Sequence, residues 1–226
     1  MKMAFVKNPP KNERELIDNY QQIAGLTFFQ LAEQLGLDFP ALPSQRKGWV
    51  GQAIELALGT TASNHSLPDF HHLGIELKTL PLGSNGKPTE STFITTIPLL
   101  TIHQQNWSAS QCFAKLKRVL WLPVEGDTEI PFVHRRIGLG FLWSPTLQQT
   151  QILEADWTYL TNMICMGQLE EIDARHGEYL QIRPKAANAK SLSYSFDSTG
   201  KKIKTLPRGF YLRSSFTAEI LTSALI

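Results

Sequence analysis

Apolar residues recur at helical spacing over the first sixty positions. Leu16, Ile17, Tyr20, Ile23 and Ala24 share one side of a helix that Asn12 can cap and Gly25 stops. Thr27 and Gln30 form a capping-box pair, which opens a second helix ending near Gly36. Pro40 to Pro43 is a connector. A third helix runs from Trp49 to Leu58 and closes at Gly59, with Trp49, Val50, Ala53, Ile54 and Ala57 on its apolar side. The period then falls to two. Leu73, Ile75 and Leu77 alternate with Gly74, Glu76 and Lys78, the pattern of a half-buried strand over Gly74–Leu80. Further strands are predicted over Ser91–Ile97, Arg118–Val124 and Arg136–Trp143, with Pro98, Pro123 and Pro145 marking their ends. Gly83 to Pro88 lacks the spacing of a phosphate-binding loop and reads as a hairpin connection between the first two strands. Leu153, Trp157, Leu160 and Ile164 mark a long core helix from about Thr146 to Met166, stopped by Gly167. Glu178–Arg183 and Gly209–Arg213 are short strands, and Phe216–Leu225 is a final helix. Strands gather in the middle with helices around them. The pattern therefore predicts an α/β (α+β) fold, a mixed sheet covered by helices. The 226 residues suit one domain spanning the chain, with two sublobes sharing a core.

Composition narrows the class. Hydrophobic residues make up 42% and charged residues 19%, which suits a globular protein rather than a disordered one. No run of eighteen apolar residues exists, so no membrane span is expected. Met1 to Lys7 lacks an apolar core of secretory length. Cys112 and Cys165 make neither a disulfide framework nor a zinc pattern, so a cytoplasmic protein with two inert thiols is the simplest reading. The net charge of +2 says little, but its distribution says more. Between Arg175 and Arg213 nine Lys or Arg stand against two acids, leaving this third at +7 and the remainder at −5. Such a third can face an anion, or be an ordinary solvated basic surface.

The strand carrying Glu76 and Lys78 holds the main candidate chemistry. Both side chains point to one face, and Asp69 can fold back toward them from the preceding loop. Two carboxylates can hold a hard divalent cation such as Mg²⁺, and a neighbouring ammonium can position or activate a water or neutralise a phosphate. Asp…Glu-x-Lys is the pattern of the metal site in restriction-type nucleases. The same residues also fit an edge strand with a surface ion pair, and the short motif alone does not separate the two. Glu55 lies off the apolar stripe of its helix, beside Gly51 and Gln52, where an acid is usually just solvated. Adjacent His71 and His72 would face opposite sides of a strand and could not share a metal. Neither His-Glu-x-x-His nor Gly-x-Ser-x-Gly occurs. His176 has no obvious partner and is read as structural.

Longer blocks carry a resemblance. They are Lys47-Gly-Trp-Val-Gly51 with Glu55, Asp69-Phe70 through Gly74-Ile-Glu-Leu-Lys-Thr79, Thr92-Phe93, Lys115 to Gly126, Arg175 to Lys190, and Leu206-Pro-Arg-Gly-Phe-Tyr-Leu212. Through them the chain resembles the MutH family of mismatch-repair endonucleases over nearly its whole length. The first dozen residues and Ser191 to Lys204 are less alike. The resemblance implies a restriction-endonuclease-like fold with two arms around a DNA cleft. It implies a monomer that requires Mg²⁺, nicks the unmethylated strand of double-stranded DNA at hemimethylated GATC sites, and is activated by a MutL-like mismatch-repair protein. Carried over by position, Asp69, Glu76 and Glu55 would be metal ligands and, with Lys78, catalytic. Phe93, Arg183 and Tyr211 would read DNA, and Lys47 and Lys115 would contact its backbone.

The residue chemistry at the reading positions leaves alternatives. Pro184 biases Arg183 to an extended shape, from which a guanidinium can fork onto guanine or contact a phosphate. Tyr211 can pack against a base edge and sense a methyl group, or be a half-buried strand residue. Phe93 can wedge against bases or sit in the core. A strand-selective nicking endonuclease and a non-catalytic DNA-binding adaptor of a repair complex are therefore the two function classes. An intact Asp69, Glu76 and Lys78 set favours the first.

Overall fold

Local capping chemistry sets the helix ends. The computed structural model describes residues 8–60, 66–185 and 192–224. In chain order these form α1 (Glu13–Ile23), α2 (Phe28–Leu35), α3 (Arg46–Leu58), β1 (Glu76–Leu82), β2 (Thr92–Thr96) and α4 (Gln111–Leu116). They continue with β3 (Val119–Glu125), β4 (Phe141–Trp143), α5 (Leu147–Cys165), β5 (Leu180–Pro184), β6 (Ser193–Phe196), β7 (Lys202–Thr205), β8 (Arg208–Leu212) and α6 (Ser214–Ala224). Asn12 accepts from Glu15 N at the start of α1, and Thr27 with Gln30 makes the reciprocal capping box of α2. Thr146 and Gln149 make a second box at α5. Gly36 and Gly59 end α2 and α3 in the left-handed conformation, which lets their N–H groups reach back to the last carbonyls.

The chain divides into two compact units. The first comprises residues 1–89 and 118–143. Its sheet has the order β1-β3-β4, with β1 and β3 parallel and β3 and β4 antiparallel. Leu16, Phe28, Leu31, Ile54, Leu58, Phe70, Ile75, Leu120 and Leu122 build a single core between the three helices and this sheet. The second unit comprises residues 90–117 and 144–226. Its antiparallel sheet has the order β2-β8-β5, and β6 and β7 form a separate two-stranded ribbon. Trp157 of α5 is buried, as its helical spacing predicts.

Several expectations need correction. The strands do not form one mixed sheet. The turn at Gly83 is locally a hairpin turn, with Gly83 N donating to Lys87 O and Thr89 N to Pro81 O. Yet β2 pairs with β8 rather than β1, so the two predicted neighbours lie in different sheets. Pro123 sits inside β3 opposite Leu80 and does not end it. Its carbonyl accepts from Gly138 N, so its missing donor faces the edge beyond the regular β3–β4 pairing and costs no ladder bond. The strand predicted from Arg136 is regular only over β4, preceded by isolated bridges at Arg136 and Ile137. The short helix α4 and the β6–β7 ribbon were not legible from periodicity. Met1 to Lys7, Ala186 to Lys190 of the resembling block, and Leu225 of the last predicted helix lie outside the described residues.

Asp156 joins helix to sheet in the second unit. It is 8% exposed on α5, and its carboxylate accepts from Glu178 N at 2.8 and 3.0 Å, Tyr179 N at 2.6 Å and Leu180 N at 2.8 Å. One side chain therefore satisfies three backbone donors entering β5. Asp156→Ala leaves them without this acceptor, at a cost of about 1–3 kcal/mol for each donor that stays dry. Urea unfolding of the variant is expected to show a loss of at least about 3 kcal/mol; a loss under about 1 kcal/mol would show that water replaces the carboxylate.

Candidate active site

The turn before β1 positions the acids. Phe70 and Ile75 are fully buried and exchange backbone hydrogen bonds, Phe70 N to Ile75 O at 2.9 Å and Ile75 N to Phe70 O at 3.3 Å. Gly74 closes this turn at φ +68°, a conformation that favours glycine. The reversal returns Asp69 to the strand, where its Oδ2 accepts from Leu77 N at 2.8 Å. Glu76 N donates to Arg118 O, and Arg118 is itself held by Glu13 through bonds of 3.0 and 2.8 Å. Lys78 Nζ lies 2.6 Å from Glu76 Oε1, as expected for side chains two apart on one strand. The surface ion pair that the short motif also allowed is excluded: Glu76 is 1% exposed and Lys78 15% exposed. A buried carboxylate beside an ammonium is no ordinary surface ion pair.

Asp69, Glu76 and Lys78 are thus brought together. Glu55 is half-buried in the last turns of α3, where its backbone carbonyl accepts from Gly59 and Thr60. Among the described residues no three His, Cys, Asp or Glu side chains converge as a metal-binding group. The donors present are hard carboxylate oxygens without thiol or imidazole. That set fits Mg²⁺, which binds through one or two carboxylates and keeps several waters. The two histidines next to Asp69 are not on a strand. They lie in the turn with ring centroids 5.7 Å apart, and His72 Nε2 is committed to Pro10 O at 2.7 Å. Lys47 is exposed in the first turn of α3.

A second group of predicted residues lies on the β2-β8-β5 sheet. Phe93 pairs with Tyr211, their ring centroids 5.3 Å apart at 66°. Arg183 is exposed, its Cζ 6.0 Å from the centre of the Tyr211 ring, and its Nη1 donates to Ser91 Oγ at 3.2 Å. Burial raises the Tyr211 pKa and Glu90 adds to this, against the opposing pull of Arg183, so the phenol keeps its proton at neutral pH. Lys185 Nζ sits 3.4 Å from the centre of the Phe93 ring. Gly209 makes room for that ring, because a Cβ there would lie 2.8 Å from Phe93 Cε2. Lys185 and Gly209 belong to this face, although sequence reasoning did not single them out; the signal for Lys185 was its place two residues after Arg183 on an extended segment. Lys115 is 6% exposed in the last turn of α4, unlike a lysine on open surface.

The basic third is less open than its count suggests. Arg213 donates to the carbonyls of Gly177, Ala174 and His176, Arg208 binds Glu170 at 2.8 Å, and Arg175 binds Asp173 at 2.6 Å. His176 does have partners: its Nδ1 is 3.1 Å from Asp173 Oδ1 and its ring stacks on Tyr159, which supports the structural reading. Both cysteines are free thiols, and burial raises the pKa of Cys112.

Fold and site together define the class: a restriction-endonuclease-like α/β protein with an Asp, Glu-x-Lys centre in its first unit. The family follows from comparison with known proteins. A family model described as DNA mismatch repair enzyme MutH matches residues 58–156. The DNA mismatch repair protein MutH of Vibrio campbellii is 50% identical over 216 residues, 96% of each chain. Its counterpart from Vibrio cholerae is 47% identical over 96% of this chain and 98% of its own. That from Shewanella baltica is 48% identical over 94% of this chain and 96% of its own. The chain belongs to the MutH family of DNA mismatch repair enzymes. No helix among the described residues is long and apolar enough to cross a membrane.

The bond from Leu77 N gives Asp69 a structural duty separable from chemistry. Leu77 is 6% exposed, so Asp69→Ala strands a buried donor at about 1–3 kcal/mol. Asp69→Asn keeps an acceptor there and removes only the charge. Thermal unfolding without added metal is expected to place Asp69→Asn near the parent and Asp69→Ala clearly below it. Equal stability of the two variants would contradict the anchoring role.

Proposed function

We propose that this chain is a Mg²⁺-dependent endonuclease that nicks the unmethylated strand of hemimethylated GATC sites in mismatch repair. The carrying observation is the grouping of Asp69 and Glu76 with Lys78 at 2.6 Å from the Glu76 carboxylate, in a chain of the MutH family. Asp69 and Glu76 are the residues that would hold the ion, with Glu55 as a further candidate. When bound, Mg²⁺ supplies charge neutralisation at the phosphate and acidifies water. The protein's own contribution is positional. The turn at Gly74 and the β1–β3 pairing fix both carboxylates, and Lys78 presents a compact positive charge where negative charge develops on the phosphate. In-line attack of water on the phosphodiester leaves a 5′ phosphate and a 3′ hydroxyl.

DNA reading falls in this proposal to the β2-β8-β5 sheet. Arg183 contributes a planar fork suited to guanine O6 and N7. Tyr211 contributes a neutral phenol beside it, able to detect a methyl group on the adenine of the strand to be cut, and Phe93 supports that ring. Lys47 neutralises a backbone phosphate, a role also assigned to Lys115 once its ammonium is reached by DNA. The enzyme acts in the cytoplasm as a monomer, with a MutL-like protein as activator.

The primary test is incubation with Mg²⁺ and a plasmid carrying one hemimethylated GATC. A single nick in the unmethylated strand is expected, whereas tight binding without cutting would indicate an adaptor. Asp69→Asn and Glu76→Gln are expected to lower the nicking rate by at least about 10³-fold while duplex binding in Ca²⁺ survives. Lys78→Ala should be similarly slow and Lys78→Arg only partly restored, because arginine cannot place its charge at the same compact point. Near-parental nicking by Lys78→Arg would reduce the role of Lys78 to charge alone.

Arg183→Ala tests the reading face. One bidentate contact discriminates a base pair by about 1–3 kcal/mol, so the ratio of affinities for GATC and scrambled duplexes should fall by roughly 5- to 150-fold. An unchanged ratio at one salt concentration would move Arg183 to the DNA backbone.

A further inference from the structure

The β6–β7 ribbon presents a face that none of the preceding roles uses. Its register pairs Tyr194 with Lys204 and Phe196 with Lys202. Paired residues and residues two apart share a side of a strand, so these four side chains lie on one face. All four are exposed, Tyr194 at 42% and Phe196 at 40%. The opposite face is Ser195, 0% exposed, with Ile203 half-buried and Thr205 7% exposed. Such an arrangement inverts the usual economy of a ribbon, with the aromatic rings outside and a serine inside.

The ribbon is anchored. Thr205 Oγ1 donates to Glu170 Oε1 at 2.8 Å, and Glu170 is also gripped by Arg208. Burial pushes the Glu170 pKa up, but Thr205 and Arg208 together hold it below the usual value, so both contacts persist at neutral pH. At the other end, Gly167 approaches the turn so closely that a Cβ there would lie 2.2 Å from Asp197 C. The Asp197 side chain accepts from Thr199 N, Thr199 Oγ1 and Lys201 N, which fixes the turn itself. The exposed face is therefore held in place by contacts on its other side.

Lys202 Nζ lies 4.5 Å from the centre of the Tyr194 ring, the diagonal neighbour across the ribbon. That contact holds its ammonium over an aromatic surface. Lys202 and Lys204 stand two residues apart, about 7 Å along the strand. They are charges of one sign on a fixed face, each flanked by a flat ring.

We infer that Tyr194, Phe196, Lys202 and Lys204 form an additional duplex-binding surface that takes DNA phosphates on its lysines and sugar edges on its rings. The inference rests on the DNA-cutting function proposed above and extends it to DNA outside the recognition sequence. Charge complementarity selects the occupant, a polyanion. The surface contributes affinity without sequence preference, since phosphates and sugars carry no base identity.

The test uses the full chain with Lys202→Ala and Lys204→Ala combined. Affinity is measured in Ca²⁺ on a duplex with one GATC and on a scrambled duplex of equal length, across a salt series. Two lost phosphate contacts should flatten the dependence of log K on log salt by about two units on both duplexes. Affinity at low salt should fall by about tenfold on each, with their ratio unchanged, because the change is in phosphate binding alone. The double arginine variant should restore the parental slope. Unaltered affinity and slope in a variant whose parent binds and nicks normally would overturn this inference and leave the proposed function standing. A loss confined to stimulation by a partner protein would overturn it too. A parent that binds no duplex at all would overturn both.

Discussion

A carboxylate that is 1% exposed has to be matched by an opposite charge, and in this protein the match sits two residues along the same strand. The distance of 2.6 Å between Lys78 Nζ and Glu76 Oε1 follows from strand periodicity, which sends both side chains to one face. Parallel pairing with β3 covers the strand, and the Arg118 carbonyl takes the Glu76 N–H. The tight turn closed by Gly74 adds the second acid by bringing Asp69 onto Leu77 N. Two carboxylates and an ammonium are thereby fixed by backbone geometry rather than by long flexible side chains. In the function proposed above, such a centre would need little reorganisation to act on a phosphate, because its charges are already fixed in place.

The second unit applies the same economy to rings and cations. Phe93, Tyr211 and Arg183 are held by adjacent strands of one antiparallel sheet, Lys185 follows directly after β5, and the missing side chain of Gly209 is what lets the Phe93 ring lie across it. Asp156 fastens the entry to β5 from α5, so the strand that carries Arg183 is tied to the longest helix. Arginines that look from the sequence like part of an anion-facing surface are partly spent inside the unit: Arg213 organises three carbonyls, and Arg208 holds Glu170. The exposed basic side chains of this third include Arg183 on β5, Lys185 just after it, and Lys202 and Lys204 on β7.

Local signals in the sequence were read well where a short-range interaction decides the structure. The caps at Asn12 and Thr27, the glycine stops at Gly36 and Gly59 and the buried stripe of α5 depend on residues within a turn of each other. The shared face of Glu76 and Lys78 is of the same kind. What escaped reading depends on partners distant in the chain. Nothing near Thr92 says that its strand pairs with Leu212 rather than with β1. Glu76 looks solvated because alternation places it opposite Ile75 and Leu77, and only the packing around β1 buries it. The β6–β7 ribbon was missed because its aromatic residues are on the outside, the reverse of the pattern used to find strands. Family resemblance supplied Glu55, Phe93 and Lys115, whose spacing carries no chemical signature of its own.

Whether Asp69 and Glu76 hold a divalent cation decides the proposed chemistry. Mn²⁺ can stand in for Mg²⁺, and its spin resonance counts bound ions directly in a complex with uncleaved GATC duplex. The parent is expected to bind Mn²⁺ in that complex. Asp69→Asn and Glu76→Gln are each expected to lose that binding while still holding DNA, and Arg183→Ala to retain it at saturating DNA. Undiminished Mn²⁺ binding in both carboxylate variants would contradict the assignment of the site.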